Sequence, residues 1–215
     1  MFGLVCKDFL VGRKNILYYF GFLVIYGVLS AAGVFPYSVL SGMVALVGLM
    51  LPMSSFAYDD QARWEKFAAA TPAGRRGVVQ GKYLFALLCT AAAAVLVGAI
   101  LTVMSLLGTV EAEVWWEPLA VVGICACFTL LLDSIFLPFL LKFGSEKARM
   151  LSMLVFAVVF GGMALLAFLA ERGFKFPAPS PLFVTLAPAI AVAVTAAALG
   201  VSYGISQGIY GKKEF

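Results

Sequence analysis

The chain has 215 residues, 63% of them hydrophobic and only 12% charged, with a mean hydropathy of +1.04. Soluble domains run about 45–50% apolar and about 25% charged, so the composition excludes a water-covered globule, large extramembrane domains, extended disorder and a nucleic-acid-binding surface. A net charge of +4 is informative only by where its charges lie.

In chain order, residues 1–15 set Lys7, Asp8, Arg13 and Lys14 among Phe2, Leu4, Val5, Phe9 and Leu10, which predicts a short helix lying in the headgroup region. The run 16–35 predicts an uncleaved first crossing, since it is longer than a signal peptide's apolar region. A second crossing follows at 37–57, opened by Pro36, with Pro52 predicting a kink near residue 48. Residues 58–82 break the pattern with Asp59, Asp60 and Glu65 beside Arg63, Lys66, Arg75, Arg76 and Lys82. Further apolar runs at about 83–107, 118–141, 150–170 and 183–205 are separated by charged or proline-containing stretches. The expected fold is therefore all-α, one polytopic membrane domain of six crossings over 1–215, since about 20 apolar residues suffice for each.

Lysine and arginine are retained on the cytoplasmic side. With six crossings, one side holds Lys7, Arg13, Lys14, Arg63, Lys66, Arg75, Arg76, Lys82, Lys142, Lys147, Arg149, Lys212 and Lys213, and the other only Arg172 and Lys175. Thirteen against two predicts that both termini are cytoplasmic. Trp115 and Trp116 then fall at the outer interface, and Glu111, Glu113, Glu117 and Glu171 face outer water.

The chemistry of common membrane enzymes is missing. There is no histidine, which removes Ser-His triads and HExxH zinc sites. Cys6, Cys89, Cys125 and Cys127 have no CxxC spacing and predict neither a disulfide framework nor a metal site. A P-loop needs GxxxxGK[ST]. The nearest stretches, Gly77–Tyr83 and Gly208–Lys213, have the wrong spacing and lack the serine or threonine.

Within 58–82, Asp59 or Asp60 is placed to cap the start of a helix that Pro72 ends. Trp64, Phe67 and Ala68 share one face, with Arg63, Glu65 and Lys66 at its sides. Such a helix serves either as an interfacial anchor or as a docking helix for a soluble partner, with Trp64 or Phe67 as the buried aromatic.

The stretch DDQARWEKFAAATPAGRRGVVQGKYL resembles the cytoplasmic loop of bacterial ABC-2 type transporter permeases, although Thr71 stands before Pro72 where leucine is expected. Residues 137–150, LPFLLKFGSEKARM, are similar to that family's second cytoplasmic loop, and the start with Lys7-Asp8 and Arg13-Lys14 is similar too. The resemblance covers the whole chain. It implies the membrane half of an ABC exporter, working as a homodimer or with a paralogous permease, and bound to a separate cytoplasmic ATPase that holds ATP and magnesium. It also implies that the ATPase docks on Asp59, Asp60, Arg63, Trp64, Glu65, Lys66, Phe67 and Pro72, with a second contact over Lys142, Phe143, Gly144, Glu146, Lys147 and Arg149.

Asp133 is the one ionisable residue deep in an apolar run, nine residues before Lys142. An intramembrane carboxylate serves as a buried hydrogen-bonding group, as a lining of the translocation path or as a proton carrier. Pro138 beside it predicts a kink where a gate would sit. The sequence keeps two alternatives to an exporter open: the substrate-binding membrane component of an importer, and a gradient-driven transporter using Asp133. The substrate is left at an amphipathic or hydrophobic peptide, lipid or drug.

Overall fold

Where water is absent, a long apolar run can satisfy its own backbone only as a helix or a closed barrel. The computed structural model of the protein takes the helical solution. It describes residues 2–64, 67, 74–108, 116–172 and 181–212. In order these form α1 (Phe2–Ala31), α2 (Tyr37–Gln61), α3 (Gly74–Leu106), α4 (Glu117–Glu171) and α5 (Pro181–Gly211), with no strand among the described residues. Each of the five contains a stretch long and apolar enough to cross a membrane.

Several boundaries correct the sequence expectation. The separate headgroup helix at 1–15 does not exist; it is the first half of a 30-residue α1. Its acid Asp8 is buried and paired, so nothing forces the helix to break there. α1 stops at a glycine cap. Gly33 takes φ 74, its N–H donates to Ser30 O at 3.0 Å, and Val34 N–H donates to Leu29 O at 3.0 Å. α2 runs on to Gln61, so Asp59 and Asp60 end a helix and do not start one. α3 begins at Gly74, nine residues before the expected crossing, and α5 continues to Gly211 with Ser206 and Tyr210 buried.

The largest correction is in α4, which takes in two of the six expected helices. Fifty-five helical residues would make a rod of roughly 80 Å, well over twice the ~30 Å hydrocarbon core. Gly144 breaks the rod with φ 78 and ψ 174. Phe136 and Phe156 lie 6.2 Å apart between ring centroids, although twenty residues of straight helix would hold them roughly 30 Å apart. The halves 117–143 and 145–171 therefore double back on each other. An eight-residue charged loop was expected at 142–149; a single glycine makes the turn instead.

α2 is the central helix, packed against α1, α3 and α4, while α5 packs on α3 and α4. Two apolar clusters form the core. One gathers Leu49, Phe56, Val79, Tyr83, Phe136, Leu140 and Tyr210; the other gathers Leu23, Leu40, Val44, Phe85, Val97 and Leu101. Close approach at the centre depends on Gly48, where an added Cβ would stand 2.6 Å from Thr129 Cγ2 and 2.7 Å from Thr90 Oγ1. The flanking helices α1 and α5 keep exposed apolar side chains, among them Leu17, Tyr18, Val192 and Val201. Such faces suit lipid as solvent.

Candidate functional site

Four charged residues that read as headgroup or loop charges meet inside the bundle. Lys7 Nζ lies 2.5 Å from Asp59 Oδ1 and 2.9 Å from Asp8 Oδ1. Lys82 Nζ lies 2.6 Å from Asp59 Oδ2 and 3.1 Å from Asp8 Oδ1. The result is a closed, neutral ring that ties α1, α2 and α3 together at one end. Asp8, Asp59 and Lys82 are all buried. Lys82 also donates to Ser55 Oγ at 2.7 Å and sits 4.8 Å from the centroid of the Phe56 ring. Buried charges are tolerated only when paired and hydrogen-bonded, and here every member is. Sequence reasoning missed this ring because each charge borders a charged stretch. The available signal was that Asp8 and Lys82 are followed directly by apolar side chains, Phe9 and Tyr83.

The neighbouring acid does something different. Asp60 Oδ2 accepts from the backbone N–H of Ser145 at 2.6 Å, capping the second half of α4 from across the bundle. A Cβ on Gly144 would approach that same oxygen at 3.3 Å. The end of α2 thus holds both the ion ring and the turn in α4.

Beyond Gln61, Arg63 adopts φ 49, a left-handed conformation that non-glycine residues rarely take, and it redirects the chain. Trp64 is half-buried against the core, with Lys7 Nζ 5.0 Å from its ring centroid, while Phe67 stacks on it at 6.4 Å and is 66% exposed. The exposed aromatic is therefore Phe67, and Trp64 belongs to the packing beneath it. Glu65, Lys66 and Pro72 lie outside the described residues.

On the other side of the turn, Phe143, Glu146, Lys147 and Arg149 are exposed around the buried Ala148. Asp60, Gln61, Phe143, Gly144, Glu146 and Arg149 line a cleft of about 470 Å³. An adjoining cavity of about 510 Å³ shares Ala57, Gln61, Ser145 and Arg149 with it and reaches inward to Asn15, Tyr19, Met53, Leu140 and Phe156. The structure thus brings the ends of the two sequence-predicted docking segments together around one cleft. It places Asp59 beneath them in the ion ring, and Lys142 on the opposite side of α4, facing α5.

A family model described as ABC-2 family transporter protein matches residues 3–211. The chain belongs to the ABC-2 transporter family. Neither the comparison with curated proteins nor that with solved structures gives a match. The motifs that carried the resemblance occupy defined places in this ABC-2 permease: the acidic pair closes α2, and the Lys-Phe-Gly element forms the turn of α4.

The candidate path residues separate. Asp133 is 2% exposed, and its Oδ2 has no hydrogen-bond partner among the described residues. Beside it a polar layer joins three helices: the Tyr83 hydroxyl is 2.6 Å from Ser202 Oγ and 2.8 Å from Ser206 Oγ, and Ser202 donates to Ser134 O at 2.5 Å. Pro138 lines a lateral groove between α4 and α5.

Proposed function

We propose that this permease is the membrane subunit of an ATP-driven exporter, with six crossings, both termini in the cytoplasm and a separate ATPase gripping the Asp60–Ser145 corner. The two halves of α4 supply two of the crossings. The distribution of thirteen basic residues against two supports this orientation. The single observation that carries the docking surface is the Asp60 to Ser145 bond, because it joins both segments that the family resemblance assigns to ATPase contact. Phe143, Glu146, Lys147 and Arg149 offer exposed aromatic and charged groups on one side of it, and Phe67 is exposed on Trp64 just beyond the end of α2. Nucleotide and magnesium are held by the partner, which supplies the energy of hydrolysis.

The adjoining cavity suits an amphipathic substrate, since Met50, Met53, Met153 and Phe156 line it together with Asn15, Tyr58 and Arg149. A second permease, identical or paralogous, completes the pore, and membrane lipid covers the apolar outer faces.

The test is to co-express the chain with candidate ATPases and measure which one copurifies with substrate-sensitive hydrolysis. Phe67→Ala is expected to cut recovery of the ATPase at least severalfold while the permease remains monodisperse. Trp64→Ala should weaken association as well, together with a fall in thermal stability, because its ring also packs against the core. Assembly that survives both changes and is lost only when Glu117 or Arg172 is altered would refute the docking assignment.

A further inference from the structure

Between residues 134–142 of α4 and residues 194–209 of α5 lies a groove of about 700 Å³, inside the roughly 300–1,000 Å³ range of small-molecule sites. Its walls are apolar side chains, including Pro138, Val201 and Ile205, and Ser202 is its polar contribution from α5. From Ser134 to Lys142 along α4 it runs roughly 12 Å, and from Val194 to Ile209 along α5 roughly 22 Å at about 1.5 Å per residue, inside the ~30 Å hydrocarbon core. Lys142 closes one end.

That end is cationic. Lys142 is exposed, and its Nζ rests 5.0 Å from the Phe143 ring centroid with no carboxylate in ion-pair range among the described residues. At the same end of α5, the Arg75 guanidinium donates to Gly211 O at 2.6 Å, and Lys212 follows. A groove that long, apolar along its walls and cationic at its mouth, matches a phospholipid acyl chain whose phosphate sits at the charged end. A second copy laid on it would bring a second Lys142, which no carboxylate meets among the described residues.

We propose that the groove holds one acyl chain of an anionic phospholipid from the leaflet at the basic end of the bundle, with its phosphate on Lys142. On the orientation proposed above this is the cytoplasmic leaflet, but the site itself depends on neither the orientation nor the ATPase.

The test is native mass spectrometry of the full-length chain in mild detergent, titrated with phosphatidylglycerol or phosphatidylcholine. One phosphatidylglycerol per chain is expected to be retained, favoured over phosphatidylcholine by about fivefold, since one basic side chain near anionic lipid contributes ~1 kcal/mol. Lys142→Ala should bring the two lipids to near parity. Ala198→Trp, which fills the groove, should abolish retention of both, whereas Val192→Trp, on an exposed face outside the lining, should leave it intact. Equal retention by the two tryptophan variants would overturn the site. Efficient disulfide linking of two chains through Val201→Cys in membranes would assign the groove to a second copy and overturn it equally.

Discussion

Asp59 and Asp60 are consecutive residues at the end of α2, yet they hold different partners because successive helical side chains diverge by about 100°. Asp59 turns inward to Lys7 and Lys82, while Asp60 reaches across to Ser145. Two carboxylates at a helix C-terminus oppose its dipole, and these are stabilised by the cations and the backbone N–H they meet. The neutral ring makes a prediction about pairs. Lys82→Met leaves Asp8 and Asp59 with Lys7 alone, and an uncompensated buried charge costs about 3–5 kcal/mol. The variant is expected to lose thermal stability sharply in detergent. Adding Asp8→Asn removes the surplus charge and leaves the 2.5 Å Lys7–Asp59 pair intact, so the double variant should recover most of the loss. A double variant no more stable than Lys82→Met would show that the ring's charge balance is not what matters.

At the scale of elements, the sequence made six apolar runs plain, because length and hydropathy alone require helices in lipid, and the fourth and fifth of these runs lie within the single helix α4. It did not show where helices continue through charge. Residues 142–149 read as a loop because Lys142, Glu146, Lys147 and Arg149 are charged. In three dimensions Glu146, Lys147 and Arg149 lie on the exposed side of a helix whose inner residue is Ala148, and only Gly144 leaves helical geometry. Asp59 was legible as a special position but not as a ring member, since its partners come from residues 7 and 82 and no local pattern records that contact. The dependence on one glycine is testable. Gly144→Ala must hold φ 78 and ψ 174 with a side chain, in a region essentially reserved for glycine, at a cost of about 1–3 kcal/mol, and crowds the Asp60 carboxylate that caps Ser145. It should lower the thermal midpoint and weaken ATPase recovery together. Unchanged midpoint and recovery would mean that the turn is not held by this geometry.

For the whole molecule, the fold organises charge by end. The ion ring, the capped turn, the docking cleft and the mouth of the lateral groove all lie at the end where α2 and α5 finish and α3 starts. Tyr37, which opens α2, donates to Glu117 Oε1 at 3.1 Å at the other end, where α4 starts. One polar end therefore carries everything proposed to couple this permease to a partner, and which side of the bilayer it faces decides whether a cytoplasmic ATPase can reach it. Single cysteines at Phe67 and Trp116, introduced after replacing Cys6, Cys89, Cys125 and Cys127, separate the alternatives. In intact cells an impermeant maleimide should label position 116 and spare 67; in inverted membrane vesicles the pattern should reverse, and the cognate ATPase should protect 67. Labelling of 67 from outside would place the cleft in the wrong compartment and remove the basis for ATP-driven coupling. Labelling of 67 from inside without protection would keep the orientation and move the docking surface elsewhere.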